Sequence, residues 1–577
     1  MVDPITVEVV RNALVTVAEQ MSSRMIKSAY SYIVREMEDC SAALFDGTGS
    51  LIAESANVPI HLHCISPCLE TILKHCFSQD MLEDGDILIT NDPYVAGGSM
   101  AVHHTGDIIM YCPVFYEGKL MGFTALMAHY LDVGAMWMGT RGWGVEIWQE
   151  GIRVPPLKLY KKGQLNEDLF NMLVNNTRVP DVMENDLRAQ AFACRVAAEE
   201  FKAVLRKYGP DTVSKCFEAL LDYSERRTRA TIQEIPDGCY EHTAYVLDDG
   251  SKGGPYRLKV TVTVKGSDIW FDFAGTDPQI NGPINAPLSA TYSAVYYTMR
   301  CLTDPEMPSN AGCNRPIHIS APEGTLVNCK SPAACYQRMI VCHSLVDLIM
   351  GALAEAIPDK VMAESCGCIY NYCSAITPES NKRVMWGEVV AGGLGARPSK
   401  DGLSAMSCHV TNCPTPSIEA TEMSSPVMYL KRELCPDSGG PGKFRGGMGQ
   451  VLSYQILGLS PQFHHTSQKA KVLPQGRFGG KAGSGGKWVI NEGRSDERTL
   501  EYSVGDIEFL NPGDTVTLYT AAGGGYGDPH SRDPIAVRDD VINGIVSVES
   551  AAKDYGVIID PHTLEIVGMV RREARTK

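Results

Sequence analysis

The 577-residue chain carries 52 Lys and Arg against 68 Asp and Glu, a formal net charge of −16. That balance excludes nucleic acid as the main partner, because phosphate binding needs a basic surface. With 44% hydrophobic and 21% charged residues the chain reads as a soluble globular protein long enough for several domains.

The N-terminus lacks a basic stretch followed by a long apolar run, so it does not read as a signal peptide. No segment reaches about 18 uninterrupted apolar residues, so no membrane span is expected. A cytoplasmic setting follows as the default, and the 19 cysteines are then expected as free, mostly buried thiols.

In chain order, Asp3 and Pro4 read as the cap and first residue of an amphipathic helix carrying Val7, Val10, Leu14, Val17, Met21 and Met25 at helical spacing. Ser41–Phe45 and Ser50–Ala53 read as short strands about the turn Asp46-Gly47-Thr48-Gly49. A helix is predicted over Ser66–Cys76 and a strand over Asp86–Thr90, followed by an Asx-Pro turn at Asn91-Asp92-Pro93. Two apolar runs, Asp107–Phe115 and Leu120–Ala128, flank the turn Tyr116-Glu117-Gly118-Lys119 and predict a β-hairpin. Residues 132–144, rich in Gly and Trp, read as a loop. Helical spacing dominates from Asn166 to about Arg229. Strands are predicted at Tyr240–Leu247, Tyr256–Val264 and Ser267–Phe273, and a buried helix at Ile340–Ile357. A Gly-rich β region follows from about residue 385 to 530, and a last helix is predicted over Val541–Ala552.

These elements give a multidomain α+β protein with mixed and antiparallel sheets. The expected segments are an N-terminal α/β domain with a metal site (1–165), a helical segment (166–235), a mixed α/β domain (236–384) and a Gly-rich, β-dominated C-terminal domain (385–577).

The predicted hairpin carries the chemistry. Folding it about its turn brings Asp107 almost opposite His129, with His104 three residues upstream of Asp107. Each alone has a structural reading, as a hydrogen-bonded histidine or a turn cap. Together, two imidazoles and a carboxylate on a stiff support read as a site for a divalent metal. Asp39, beside Glu36 and Glu38, reads by itself as solvated charge. His61-Leu62-His63-Cys64-Ile65-Ser66-Pro67-Cys68 is a competing metal candidate, but its alternation predicts a strand running into a helix rather than two separated ligand pairs. Cys366, Cys368 and Cys373 do not match an iron–sulfur spacing. The Gly-rich segments 439–449, 478–488 and 521–529 lack the phosphate-loop spacing and read as tight loops or backbone nests. No nucleotide site is legible, and no GxSxG elbow.

The ordered motifs REMEDCSAALFD (35–46), NDPYVAGG (91–98), HTGD (104–107), MAHYLDVGA (127–135), FDFAGTDPQINGPINAP (271–287), RPIHISAPEGTLVN (315–328), SPAACYQR (331–338), GGPGKFRGGMG (439–449) and GGGYGDPHSRDP (523–534) resemble the B-type subunits of the hydantoinase/oxoprolinase family nearly end to end. The resemblance implies that His104, Asp107 and His129 bind the catalytic metal. Asp39 would be a further ligand or the group orienting the attacking water, and Asp132 a supporting catalytic residue. The chain departs from the family pattern at Ser99–His103, where a shorter link is usual, at Tyr130 in place of a second His, and at Ala135 in place of Gly. Spacing to Asp107 favours His104 over His103 as the ligand.

The resemblance further implies an ATP-dependent hydrolase of cyclic amides of the hydantoin, lactam or oxoproline type. The small carbonyl substrate would be activated by phosphorylation at a separate A-type ATPase subunit, in a heterotetramer or larger assembly. The metal would be Zn2+ or Mn2+, with Fe2+ a further option. The alternatives are the metal subunit of an acetone- or acetophenone-type ketone carboxylase and, from a different class, a non-haem iron oxygenase, whose facial triad also uses two His and one carboxylate.

Overall fold

A computed structural model describes residues 2–137, 144–250, 253–500, 503–505 and 507–570, leaving out the side chains of Leu62 and His63. Residues 138–143 of the expected 132–144 loop lie outside the described residues. The chain divides into two units, one of residues 1–352, 372–388 and 410–420, the other of residues 353–371, 389–409 and 421–577.

In the first unit, α1 (Pro4–Ser28) starts where the sequence places it. The Asp3 carboxylate accepts the Thr6 N–H at 3.1 Å, and Val10, Leu14, Val17, Met21 and Met25 form the buried stripe. Helix α2 (Tyr32–Met37) ends at Glu38 in the left-handed region (φ 53°), which turns the chain into β1 (Cys40–Asp46). Strand β2 (Leu51–Glu54) pairs back on β1. The strand predicted to run from His61 into the helix at Ser66 is instead part of that helix, α3 (Pro59–His75). Pro59 presets the first helical turn. Cys64, Ile65, Cys68, Leu69 and Ile72 then recur with helical period as one apolar stripe, which outweighs the short local alternation.

Strands β3 (Ile87–Thr90), β4 (Asp107–Tyr116), β5 (Lys119–His129), β6 (Leu157–Lys161) and β7 (Gln164–Leu165) complete a seven-stranded antiparallel sheet in the order β2-β1-β5-β4-β3-β6-β7. Between β3 and β4 the Asp92 carboxylate accepts the Tyr94 N–H at 2.8 Å, the expected Asx turn. The stripe of α3 packs on Ala43, Phe45, Ile109, Tyr111, Phe123, Ala125 and Met127 of one sheet face. Helices α4 (Glu167–Asn175), α5 (Pro180–Tyr208) and α6 (Pro210–Ile232) form the predicted helical segment. Gln190 of α5 donates to the Ile108 and Leu126 carbonyls at 2.9 and 2.7 Å. A second, four-stranded mixed sheet has the order β11 (Ile317–Ser320), β10 (Asp268–Asp272), β9 (Tyr256–Lys265), β8 (Gly238–Val246). Helices α7 (Leu288–Leu302) and α8 (Met339–Ala352) complete the unit, α8 being almost wholly buried.

The β4–β5 hairpin closes through Glu117 and Gly118, both at positive φ (51° and 77°), the backbone a two-residue primed turn needs. A simple ladder from Tyr116↔Lys119 would pair Asp107 with Ala128. A bulge at Val114/Phe115 shifts the register by one and sets Asp107 directly opposite His129. Near that bulge, Gly122 has no room for a side chain: a Cβ there would lie 2.2 Å from the Phe45 carbonyl oxygen and 2.8 Å from the Phe201 ring. Gly122→Ala must push β1 away from β5. It should destabilise the protein by roughly 2–3 kcal/mol through overpacking, read as a fall in thermal midpoint; an unchanged midpoint would contradict this packing.

The second unit has a five-stranded antiparallel sheet ordered Val427–Leu434, Gln450–Ile456, Thr515–Tyr519, Lys487–Ile490, Arg498–Leu500. Its Gly-rich segments hydrogen-bond to one another through the backbone. Gly440 N donates to Gly523 O at 2.8 Å, Gly523 N to Gly447 O at 2.9 Å, and Gly525 N to Lys481 O at 2.9 Å. The glycines therefore serve close backbone contact. The single helix predicted over Val541–Ala552 is two, Pro534–Ile542 and Val548–Tyr555. Gly544, at φ 68°, breaks the run between them, and the Ser547 side chain caps the second.

Candidate metal centre

The open end of the β4–β5 hairpin gathers a cluster of titratable groups. One donor atom each from His104, Asp107 and His129 lie within 4.8 Å of one another, and all three residues are buried. Asp107 Oδ2 is 2.8 Å from His104 Nε2, and Oδ1 is 2.9 Å from His129 Nδ1. His104 Nδ1 accepts the Gly106 N–H at 3.1 Å, which leaves Nε2 facing the carboxylate. His103 is not in the group; its Nε2 lies 3.5 Å from the Ser293 hydroxyl.

Asp39 reaches the same place from the start of β1. Its carbonyl accepts the His129 N–H at 3.0 Å, so the register of β1 against β5 places it. Its side chain keeps 13% of its surface exposed, whereas Asp107 has none. Asp132 is elsewhere. Its carboxylate is bound by the Arg178 guanidinium at 2.6 Å and by the Gly134 N–H at 3.3 Å. That fixes the loop after β5 and does not bring Asp132 into the donor group.

The structure adds groups that sequence reasoning set aside or passed over. His61, on the first turns of α3, has Nε2 at 3.5 Å from Asp39 Oδ1 and 3.8 Å from Asp107 Oδ2, and its Nδ1 is 3.4 Å from the Ser41 hydroxyl. The Tyr336 and Tyr372 hydroxyls lie 3.1 and 3.3 Å from His129 Nε2. Arg338 places a guanidinium nitrogen 3.3 Å from Asp107 Oδ2. The SPAACYQR motif carried Tyr336 and Arg338 as a family signature, but nothing local tied it to the hairpin.

Burial holds the His104 imidazole well below its ordinary pKa, with the Arg338 charge acting the same way. It lowers His61 too, against the pull of Asp107 and Asp39. Burial alone would raise Asp107, but His104 and His61 beside it and the hydrogen bonds from His104 and His129 outweigh that and hold its carboxyl well below the ordinary value. Neutral imidazoles around an ionised carboxylate are the donor set a divalent metal takes, because its ligands must be deprotonated.

Glu150 anchors the loop that carries Tyr336 and Arg338. Its carboxylate accepts the Cys335 N–H at 3.0 and 3.1 Å and the Tyr336 N–H at 2.9 Å. Burial pushes its carboxyl up from 4.5 to about 7, the Tyr336 and Cys335 N–H groups only partly offsetting it. A carboxyl raised in the folded state binds more protons there than when unfolded, so this group's contribution to stability falls as pH rises from 4.5 to about 7. Glu150→Gln cannot ionise. Its stability relative to wild type should shift in the variant's favour by roughly 3 kcal/mol across that window, followed as thermal midpoint against pH. A difference that stays flat would show an unshifted carboxyl.

Comparison with known proteins places the chain. The family described as Hydantoinase B/oxoprolinase matches residues 3–529. Caprolactamase subunit beta of Pseudomonas jessenii is 33% identical over 581 residues, covering 97% of each chain. 5-oxoprolinase 1 of Arabidopsis thaliana is 28% identical over 91% of this chain, which spans 42% of that protein. The crystal structure of the ATP-dependent caprolactamase from Pseudomonas jessenii superposes with a TM-score of 0.91 at 32% identity, covering 99% of this chain and 98% of the other. Nucleotide-free acetone carboxylase shares the fold at a TM-score of 0.86 and 20% identity, over 97% of this chain and 80% of the other. On the span of the family match and the identity along its whole length, this chain belongs to the hydantoinase B/oxoprolinase family.

Proposed function

We propose that this chain is the metal-binding catalytic subunit of an ATP-dependent hydrolase of cyclic amides, working with a separate A-type ATPase subunit. The observation that carries the reading is the buried convergence of His104, Asp107 and His129 with Asp39 alongside, in a chain 33% identical to a caprolactamase subunit beta.

His104, Asp107 and His129 would hold a divalent ion of the Zn2+ or Mn2+ kind. When bound, such an ion supplies Lewis acidity toward a carbonyl or water oxygen. Asp39, the partly exposed carboxylate, takes the proton of the attacking water. His61, 3.5 Å away, orients that carboxylate. Tyr336 and Tyr372, whose hydroxyls face the far nitrogen of His129, hold that imidazole in position. An unstrained amide is a poor electrophile, and phosphorylation of its oxygen on the partner activates it. The backbone pairing among the Gly-rich segments 439–449, 476–486 and 521–527 fits a division of labour in which ATP is handled elsewhere.

The test is a turnover assay of this chain co-purified with its partner, on ε-caprolactam, hydantoin and 5-oxoproline. Ring opening should require both chains and ATP and proceed without bicarbonate. Ring opening by this chain alone without ATP would sink the proposal. A strict bicarbonate requirement would move the activity to ketone carboxylation.

A further inference from the structure

The first unit holds a cavity of about 450 Å³ that shares no lining residue with the metal centre. Val15 of α1, Ile52 and Glu54 of β2, Arg300 of α7, and Met307 and Ser309 after α7 form much of its wall. The walls are mainly apolar, and the volume falls within the range of pockets that hold small organic ligands.

Four charged residues line this apolar space: Arg11 is paired with Glu8, Glu306 is exposed, and Glu54 and Arg300 border it without meeting. Glu54 Oε2 is shielded from water and has no hydrogen-bond partner among the described residues. Arg300 donates through one nitrogen to the Pro305 and Met307 carbonyls, at 3.1 and 2.5 Å, which leaves its other two nitrogens without a hydrogen bond among the described residues. Neither residue forms an ion pair, with the other or elsewhere, among the described residues. Burial pushes the Glu54 carboxyl up to about 7, the Ser309 hydroxyl and the Arg300 charge only partly offsetting it. A carboxylate in such a position gains from a positive donor. A simple amine would bring its charge beside Arg300, and a simple carboxylate would bring its charge beside Glu54. A molecule carrying both groups on an apolar body relieves both.

We propose that this cavity binds a small α-amino acid with an apolar side chain. Its ammonium sits on Glu54, its carboxylate on Arg300, and its side chain against Val15, Ile52 and Met307. The site is independent of the reaction proposed above, although Pro59, the first residue of α3, also lines it and lies two residues from His61.

The test is titration calorimetry of the intact enzyme with L-phenylalanine, phenethylamine and 3-phenylpropionate. L-phenylalanine should bind saturably, and each single-charge analogue should bind at least about tenfold more weakly, since each loses one charge-assisted contact. Glu54→Gln and Arg300→Gln should each weaken L-phenylalanine by about tenfold or more. Ala56→Trp, at the exposed rim, should block uptake while leaving Glu54, Arg300 and the bound metal untouched. It also decides the matter if a charge variant fails to fold. The proposal is overturned by no saturable binding below about 10 mM, by an analogue matching L-phenylalanine, by a folded charge variant of unchanged affinity, or by undiminished uptake in Ala56→Trp.

Discussion

Asp107→Ala should purify with metal far below one ion per chain and with turnover reduced by at least about a thousandfold, since a catalytic ion and its ligands act as a unit. The carboxylate is the hub of the cluster. Both oxygens are taken by imidazoles, at 2.8 and 2.9 Å, and Oδ2 also faces Arg338 at 3.3 Å. Truncation removes the anionic donor and leaves the Arg338 guanidinium, 5% exposed, without its counter-charge. Stranding a buried charge costs about 3–5 kcal/mol, so the thermal midpoint should fall as well. Asp107→Asn separates loss of the charge from loss of the side chain's shape. It keeps the shape and a hydrogen-bonding oxygen but loses the charge, so it should stay closer to the wild-type midpoint and still lack metal. Elemental analysis of both variants, purified as complexes and reconstituted with Zn2+ or Mn2+, is the measurement. Full occupancy in both would remove Asp107 from the ligand set.

The hairpin was legible because its signals are local. Two apolar runs marked β4 and β5, and Glu117-Gly118 is chemistry a two-residue turn demands. The remaining one-residue offset between Asp107 and His129 came from the bulge at Val114/Phe115, which no turn rule announces. Asp39 was visible only through resemblance, since it meets His129 across more than eighty intervening residues of sequence and its own neighbours suggest surface charge. His61 was named as a metal candidate and set aside through a period error: the alternation after it reads as a strand running into a helix, whereas the full helical stripe appears only when the window extends to Ile72. Tyr336, Arg338 and Tyr372 join the site through tertiary packing more than two hundred residues downstream of the hairpin. Asp132 is a different case. A motif position suggested chemistry, and the side chain is committed to Arg178. The C-terminal glycines read by composition as tight loops or anion nests, and their partners are other glycine-rich backbones, which only the folded chain reveals.

Asp39→Asn should leave folding and bound metal near wild type while lowering turnover by about 10²- to 10⁴-fold, the usual worth of a positioned general base. The expectation rests on the contrast between the two carboxylates. Asp107 is wholly buried and saturated with partners, whereas Asp39 keeps exposed surface and pairs with His61 at 3.5 Å. A group so placed is reachable by substrate and water and contributes little to the packing. Its backbone carbonyl, which accepts the His129 N–H, survives any side-chain change, so the register of β1 and β5 is kept. If Asp39 acts as the base, the loss should fall on kcat, with KM little changed, because the amide retains the shape but cannot take a proton. If instead Asp39 is a metal ligand in its own right, Asp39→Asn should lose metal along with activity, as Asp107→Asn does, and the two roles are distinguished by the same elemental analysis. Near-normal turnover at full metal occupancy would take Asp39 out of the chemistry altogether.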